Sequence, residues 1–224
     1  MGLRGVPPIG ETLRPRRKPF AGRQPCYAEE STAIPHLERL REKFPVLGAF
    51  QEDWEPVSRG GLTAWMVFYL ALIGNAILGG RLLQWFDLVF VPIHEAGHLL
   101  FRFFGQWLTV IGGTFLQLFV PFALALYFLL RRQLPGTAFC AFFFFEQFLP
   151  IGTYMADARS QSLQYVTVGD PELAVHDWFY LFSHAGILRH DTQIGGTFRL
   201  LGWVGMLAVT FWFSWRAYWG SAGK

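Results

Sequence analysis

The chain is poor in cysteine, with only Cys26 in a polar stretch and Cys140 in an apolar one. The two make no CxxC or zinc-ribbon pattern and their settings argue against a disulfide, which excludes a stapled secreted scaffold and a thiolate metal cluster. Charge is scarce as well. Only 16% of residues are Asp, Glu, Lys or Arg, and the net charge of +3 comes from basic residues dispersed among acidic ones, so nucleic acid is not an expected partner. The opening stretch MGLRGVPPIGETLRPRRKPF has basic residues but no apolar run of the kind a secretory signal needs. Membrane insertion, if it occurs, falls to later segments.

Apolar side chains are in excess. Hydrophobic residues make up 52% of the 224, and 24 Phe and 9 Trp exceed what a soluble core of this size would hide, so lipid is the expected solvent. The composition changes near residue 62. Before it, residues 1–61 form a Pro-rich, charged leader in which Ile34, Leu37, Leu40 and Phe44 recur at helical spacing, predicting one short amphipathic helix. After it, residues 62–224 read as a helical membrane domain.

Segments long enough to cross a hydrocarbon core of about 20 residues' length follow one another at 62–80, 84–104, 108–130, 136–157 and 198–218. The expected fold is therefore all-α, a polytopic helical membrane protein with about five transmembrane or re-entrant helices behind a polar leader. Pro92 is expected to kink or start the second helix, so that segment is the one most suited to a partial crossing. The Phe run at 142–145 reads as lipid contact. Such a chain is expected to sit as a multi-pass protein in a plasma (inner) membrane, with the bilayer itself as a partner.

Within the second segment stands His94-Glu95-Ala96-Gly97-His98, flanked by VFVPI and LLFRFFG. Histidines four apart share one helical face and can offer nitrogens to a single zinc ion, and a glutamate between them is suited to act as general base. Ionisable groups in lipid are costly, by about 2.5–3.5 kcal/mol for a charged residue at a helix centre on insertion scales. Three polar residues in this setting need a compensating partner, and a metal supplies one.

Two histidines leave a catalytic zinc one protein ligand short. Asp157, Glu172, His176 and Asp177 are the candidates. Asp157 is favoured, because Pro150 and Gly152 upstream can loosen its helix, and because one carboxylate and one hydroxide neutralise zinc between two neutral imidazoles. His176, in GDPELAVHDWFY, is the alternative, since His is the commonest zinc ligand. Two more polar residues lie in apolar segments. Glu146 precedes Asp157 by three helical turns and could line the same cavity, and Gln117 could hydrogen-bond a substrate backbone or a ligand carboxylate; for both, interhelical hydrogen bonding is an equal expectation.

HEAGHLLFRFFG, residues 94–105, together with Gly112-Gly113, resembles the zinc helix and following glycine element of the site-2 protease family of intramembrane metalloproteases. The resemblance spans about residues 85–157. It implies zinc held by His94 and His98, Glu95 as catalytic base, and an aspartate from a later membrane helix as third ligand. In that family the aspartate commonly precedes a glycine, whereas here no Asp-Gly pair occurs and Asp157 stands in Ala-Asp-Ala-Arg. The implied activity is hydrolysis of a peptide bond within or next to a membrane-spanning protein or peptide substrate. A non-proteolytic membrane protein that holds a metal for structure or for a partner is the alternative.

Overall fold

The computed structural model of the protein describes residue 2, residues 54–163 and residues 176–222. The short amphipathic helix expected in the leader and Glu172 lie outside the described residues. Among the described residues seven α-helices follow in order: α1 (Arg59–Ile77), α2 (Leu82–Phe101), α3 (Gln106–Leu130), α4 (Leu134–Glu146), α5 (Phe148–Ala156), α6 (Asp177–His184) and α7 (Asp191–Ala222). Among the described residues there is no strand, and the protein is an all-α helical membrane protein.

Four stretches are long and apolar enough to cross a membrane: α1, α3, α4 with α5 over Leu134–Ala156, and the last helix with its preceding turn over Leu188–Trp219. Their outer faces carry Val67, Leu70, Phe115, Phe119, Phe122, Leu200, Leu207, Phe211 and Trp215, all exposed. A surface of that kind is stable only against lipid. The segment expected at 84–104 is not among the four. It holds Asp87, Glu95 and both motif histidines, and these lower its apolar character.

Pro92 lies inside α2, which runs unbroken from Leu82. Of the two expectations for Pro92, a kink or a helix start, the start is thereby corrected. A proline costs one intrahelical hydrogen bond, and the surrounding helices hold α2 in place despite it. The expected span at 136–157 is two helices, parted at Gln147, with Pro150 inside the second. The Phe run is also divided in its surroundings: Phe142 and Phe143 are buried in the core, because four successive residues point all round a helix and cannot share one lipid face.

Two apolar clusters organise the interior. The larger joins Tyr69, Leu72 and Ile73 of α1, Leu83 of α2, Phe142 and Phe143 of α4, and Met206, Val209 and Phe213 of α7. The smaller joins Val110 of α3, Ile151 and Met155 of α5, and Trp178, Leu181 and Phe182 of α6. This second cluster seats the short α6 against α3 and α5, so its first residue arrives beside α2.

The approach of α2 to α3 depends on glycine. A short 3-10 turn, Arg102–Phe104, and Gly105 at φ 94° reverse the chain, a backbone conformation suited to glycine. Farther along, a Cβ on Gly97 would collide with the backbone carbonyl of Gly112. Small residues facing each other let two membrane helices touch backbone to backbone, where packing replaces the hydrophobic drive that lipid removes.

Candidate metal centre

His94 and His98 lie one turn apart on α2 with ring centroids 4.7 Å from each other. Facing them is Asp177, the first residue of α6. Its Oδ2 is 3.1 Å from His94 Nε2 and 3.3 Å from His98 Nε2. One ligand atom from each of the three residues lies within 4.8 Å of the others, a grouping that could hold a metal ion.

The rest of each ring is fixed. His94 Nδ1 is 2.8 Å from Gln117 Oε1, and His98 Nδ1 is 2.9 Å from the Thr109 carbonyl oxygen. Both partners accept, so each Nδ1 carries the proton and donates it, and each ring presents Nε2 as its ligand atom. Space is reserved too. A Cβ on Gly113 would lie 2.6 Å from His98 Nε2 and 2.7 Å from His94 Nε2, so α3 leaves both nitrogens unobstructed only because residue 113 lacks a side chain.

The residues therefore fit a divalent cation. They supply two imidazoles and a carboxylate, outer hydrogen bonds that set the rings, and a glycine floor. Burial alone would raise the Asp177 carboxyl, but hydrogen bonds donated to its Oδ2 from Nε2 when the His94 and His98 rings are protonated there outweigh it and hold the group below the ordinary carboxylate range; a metal would take the place of those Nε2 protons. Its backbone N–H donates to the Tyr154 hydroxyl at 3.1 Å, which ties the start of α6 to α5. Glu95 is half-buried on α2 beside the pair, and its charge acts on His98.

The acid that reaches the pair is thus Asp177, one of the four candidates but not the favoured one. Asp157 follows the last residue of α5 and closes a turn. Its Oδ1 accepts from Ser160 Oγ at 2.6 Å, Ser162 Oγ at 2.8 Å and Ser162 N at 2.9 Å, and its Oδ2 accepts from Leu163 N at 3.1 Å. Burial pushes its carboxyl up, and these four donors override that and hold it well below the usual range. The favoured assignment is corrected on this ground: the lone pairs a metal would need are in use.

His176 is likewise placed elsewhere. Its Nδ1 accepts from Phe179 N–H and caps α6, its ring stacks on Tyr154 with centroids 4.3 Å apart, and its Nε2 is 4.0 Å from Asp157 Oδ2. Burial lowers its pKa, opposed by the charges of Asp157 and Asp177. The first-choice ligand and its alternative therefore face each other.

Gln117 contacts the centre, but as acceptor for His94 and not as a donor to a carboxylate. Glu146 is only 1% exposed and accepts from Gln147 Nε2 at 2.7 Å. Its partner is Gln147, which reaches on to Gln117 and Asp87, whereas the donors to Asp157 belong to that residue's own turn, so Glu146 takes part in interhelical hydrogen bonding and not in a site shared with Asp157. Gly113 and Thr109 carry no chemistry that sequence reasoning would select, although Gly112-Gly113 stood in the family resemblance.

No protein-family model matches the chain, and no curated protein or solved structure matches it.

Proposed function

We propose that the protein is a zinc-dependent intramembrane peptidase, similar in its chemistry to site-2 proteases, with His94, His98 and Asp177 as ligands and Glu95 as general base. The observation that carries this reading is the convergence of those three ligand atoms next to Glu95 in a helical membrane domain. Zinc, when bound, makes a water acidic enough to attack and polarises the scissile carbonyl. Asp177 contributes the negative charge that makes a dication tolerable between two neutral rings in a medium that solvates charge poorly. Glu95 takes the proton of the attacking water and gives it to the leaving amine nitrogen.

A helical substrate hides its peptide bonds in internal hydrogen bonds, so it must unwind locally before Glu95 can act on it. The proposed substrate is accordingly a protein or peptide that spans the membrane or lies against it.

The test is zinc content and cleavage measured together on the full chain in detergent, wild type against Glu95→Gln, over a panel of single-span substrates. Near-stoichiometric zinc in both proteins and cleavage by the wild type alone is the expected result. Cleavage that survives Glu95→Gln would falsify the mechanism. Zinc without cleavage in either protein would point to the non-proteolytic alternative, a metal held for structure or for a partner.

A further inference from the structure

Behind His94 a chain of side-chain amides leads away from the metal centre into the protein. His94 Nδ1 donates to Gln117 Oε1 at 2.8 Å, Gln117 Nε2 donates to Gln147 Oε1 at 2.6 Å, and Gln147 Nε2 donates to Glu146 Oε2 at 2.7 Å and to Asp87 Oδ1 at 3.3 Å. One oxygen of Asp87 and one of Glu146 thus converge on a single amide nitrogen, Gln147 Nε2. Gln147 is fully buried and Glu146 nearly so. The chain joins α2, α3 and α4 at the helix break, and the mechanism above uses none of it beyond Gln117.

We propose that the Asp87–Glu146 acid pair is a positioning device that fixes the ligand tautomer of His94 through Gln147 and Gln117. The two carboxyl oxygens that face Gln147 both accept from its NH2, so the pair is an acceptor toward Gln147. An amide has one accepting end and one donating end. With the donating end of Gln147 held by the acid pair, its oxygen must face Gln117. Gln117 then turns its own NH2 toward Gln147 and its oxygen toward His94.

An oxygen at that place accepts only from Nδ1–H, which leaves His94 Nε2 as the metal-binding atom. The reversed chain would set the Gln117 NH2 against Nδ1, move the ring proton to Nε2 and remove the ligand. Reversal also requires an amide oxygen to face two carboxyl oxygens in the buried interior, acceptor against acceptor, which is strongly unfavourable. An acid pair two amides distant thus determines which nitrogen His94 offers.

This inference rests on the metal-site half of the proposed function and is independent of peptide cleavage. Its test is zinc affinity of the purified full chain, measured by chelator competition, with cobalt absorption as a second readout. Asp87→Asn combined with Glu146→Gln keeps the shapes, replaces the acids with amides that can donate as well as accept, and permits the reversed chain. Affinity is expected to fall about tenfold or more, within the range typical of outer-shell partners.

The same pair of changes is then made with Gln117→Glu, whose carboxylate can only accept and so fixes Nδ1–H without help. There the loss is expected to vanish. Gln147→Met, which severs the chain and leaves the acids in place, is expected to give a smaller loss that also vanishes with Gln117→Glu. It carries the comparison if the double variant does not fold.

Equal losses with and without Gln117→Glu would mean that the acids merely hold helices together, and would overturn the inference. So would unchanged affinity in both Asp87→Asn/Glu146→Gln and Gln147→Met while the wild type binds zinc. A wild type that binds no zinc would overturn the metal reading itself, an outcome distinct from these.

Discussion

The protein contains two acid–histidine groups built from neighbouring parts of the chain, and they have opposite character. In one, Asp177 faces His94 and His98 with Oδ2 between two Nε2 atoms. In the other, Asp157 faces His176 across 4.0 Å while four nearby donors occupy its oxygens. His176 and Asp177 are consecutive residues, yet each belongs to a different group. Residue type does not distinguish a ligand from a structural acid. Prior use of its lone pairs does.

The comparison breaks first at its floor. Gly113→Val puts a branched side chain where even a Cβ would lie within 2.7 Å of both ring nitrogens. The rings must move or the helices part, and zinc affinity is expected to fall by more than the about 10–100-fold typical of outer-shell changes. Retained affinity by chelator competition would mean that the two histidines do not bind through the face shown.

On the other side, Asp157→Ala removes an acid and leaves four donors without their acceptor. A loss of about 1–3 kcal/mol per strongly unsatisfied group sets the scale, reduced wherever water reaches the turn. Thermal unfolding in detergent should show the loss, with zinc content unchanged. His176→Ala removes the side-chain cap of α6 and should cost about 1 kcal/mol by the same assay. Because α6 carries Asp177, a modest loss of zinc affinity should accompany it.

The smallest effect is in pH. The Asp157 carboxyl is depressed in the folded protein, so its stabilisation is present above the ordinary aspartate value of about 3.9 and is lost as pH falls below it. The gap in unfolding temperature between wild type and Asp157→Ala should therefore narrow below about pH 4 and stay constant above it. A gap that widened in acid would have the wrong sign.

The same contrast explains what the sequence made legible. HEAGH is local, since helical spacing alone brings its histidines together, and the apolar flanks announce the membrane setting. The partner acid is not local. Asp177 reaches His94 from 83 residues away, because Trp178, Leu181 and Phe182 seat α6 on α3 and α5. No periodicity in α6 states that docking.

Asp157 misled for a physical reason. Its depth and charge suit a metal, but Ser160 and Ser162 follow it at the spacing of a side-chain-capped turn, and that short-range competition won. The membrane helices were legible to within a few residues at most ends. The interruption at Gln147 was legible only in kind: Pro150 cannot donate to the Glu146 carbonyl four residues back and so loosens the helix there, but the inward turn of Glu146-Gln147 toward Asp87 and Gln117 depends on residues distant in sequence.

The central claim is that Asp177, and not Asp157, completes the metal centre. Its most direct test is the zinc content of Asp177→Ala and Asp157→Ala, purified side by side with the wild type. Loss of zinc from the Asp177 variant alone is the result predicted here. Full zinc in the Asp177 variant, or its loss from the Asp157 variant while that protein remains folded, would contradict the account.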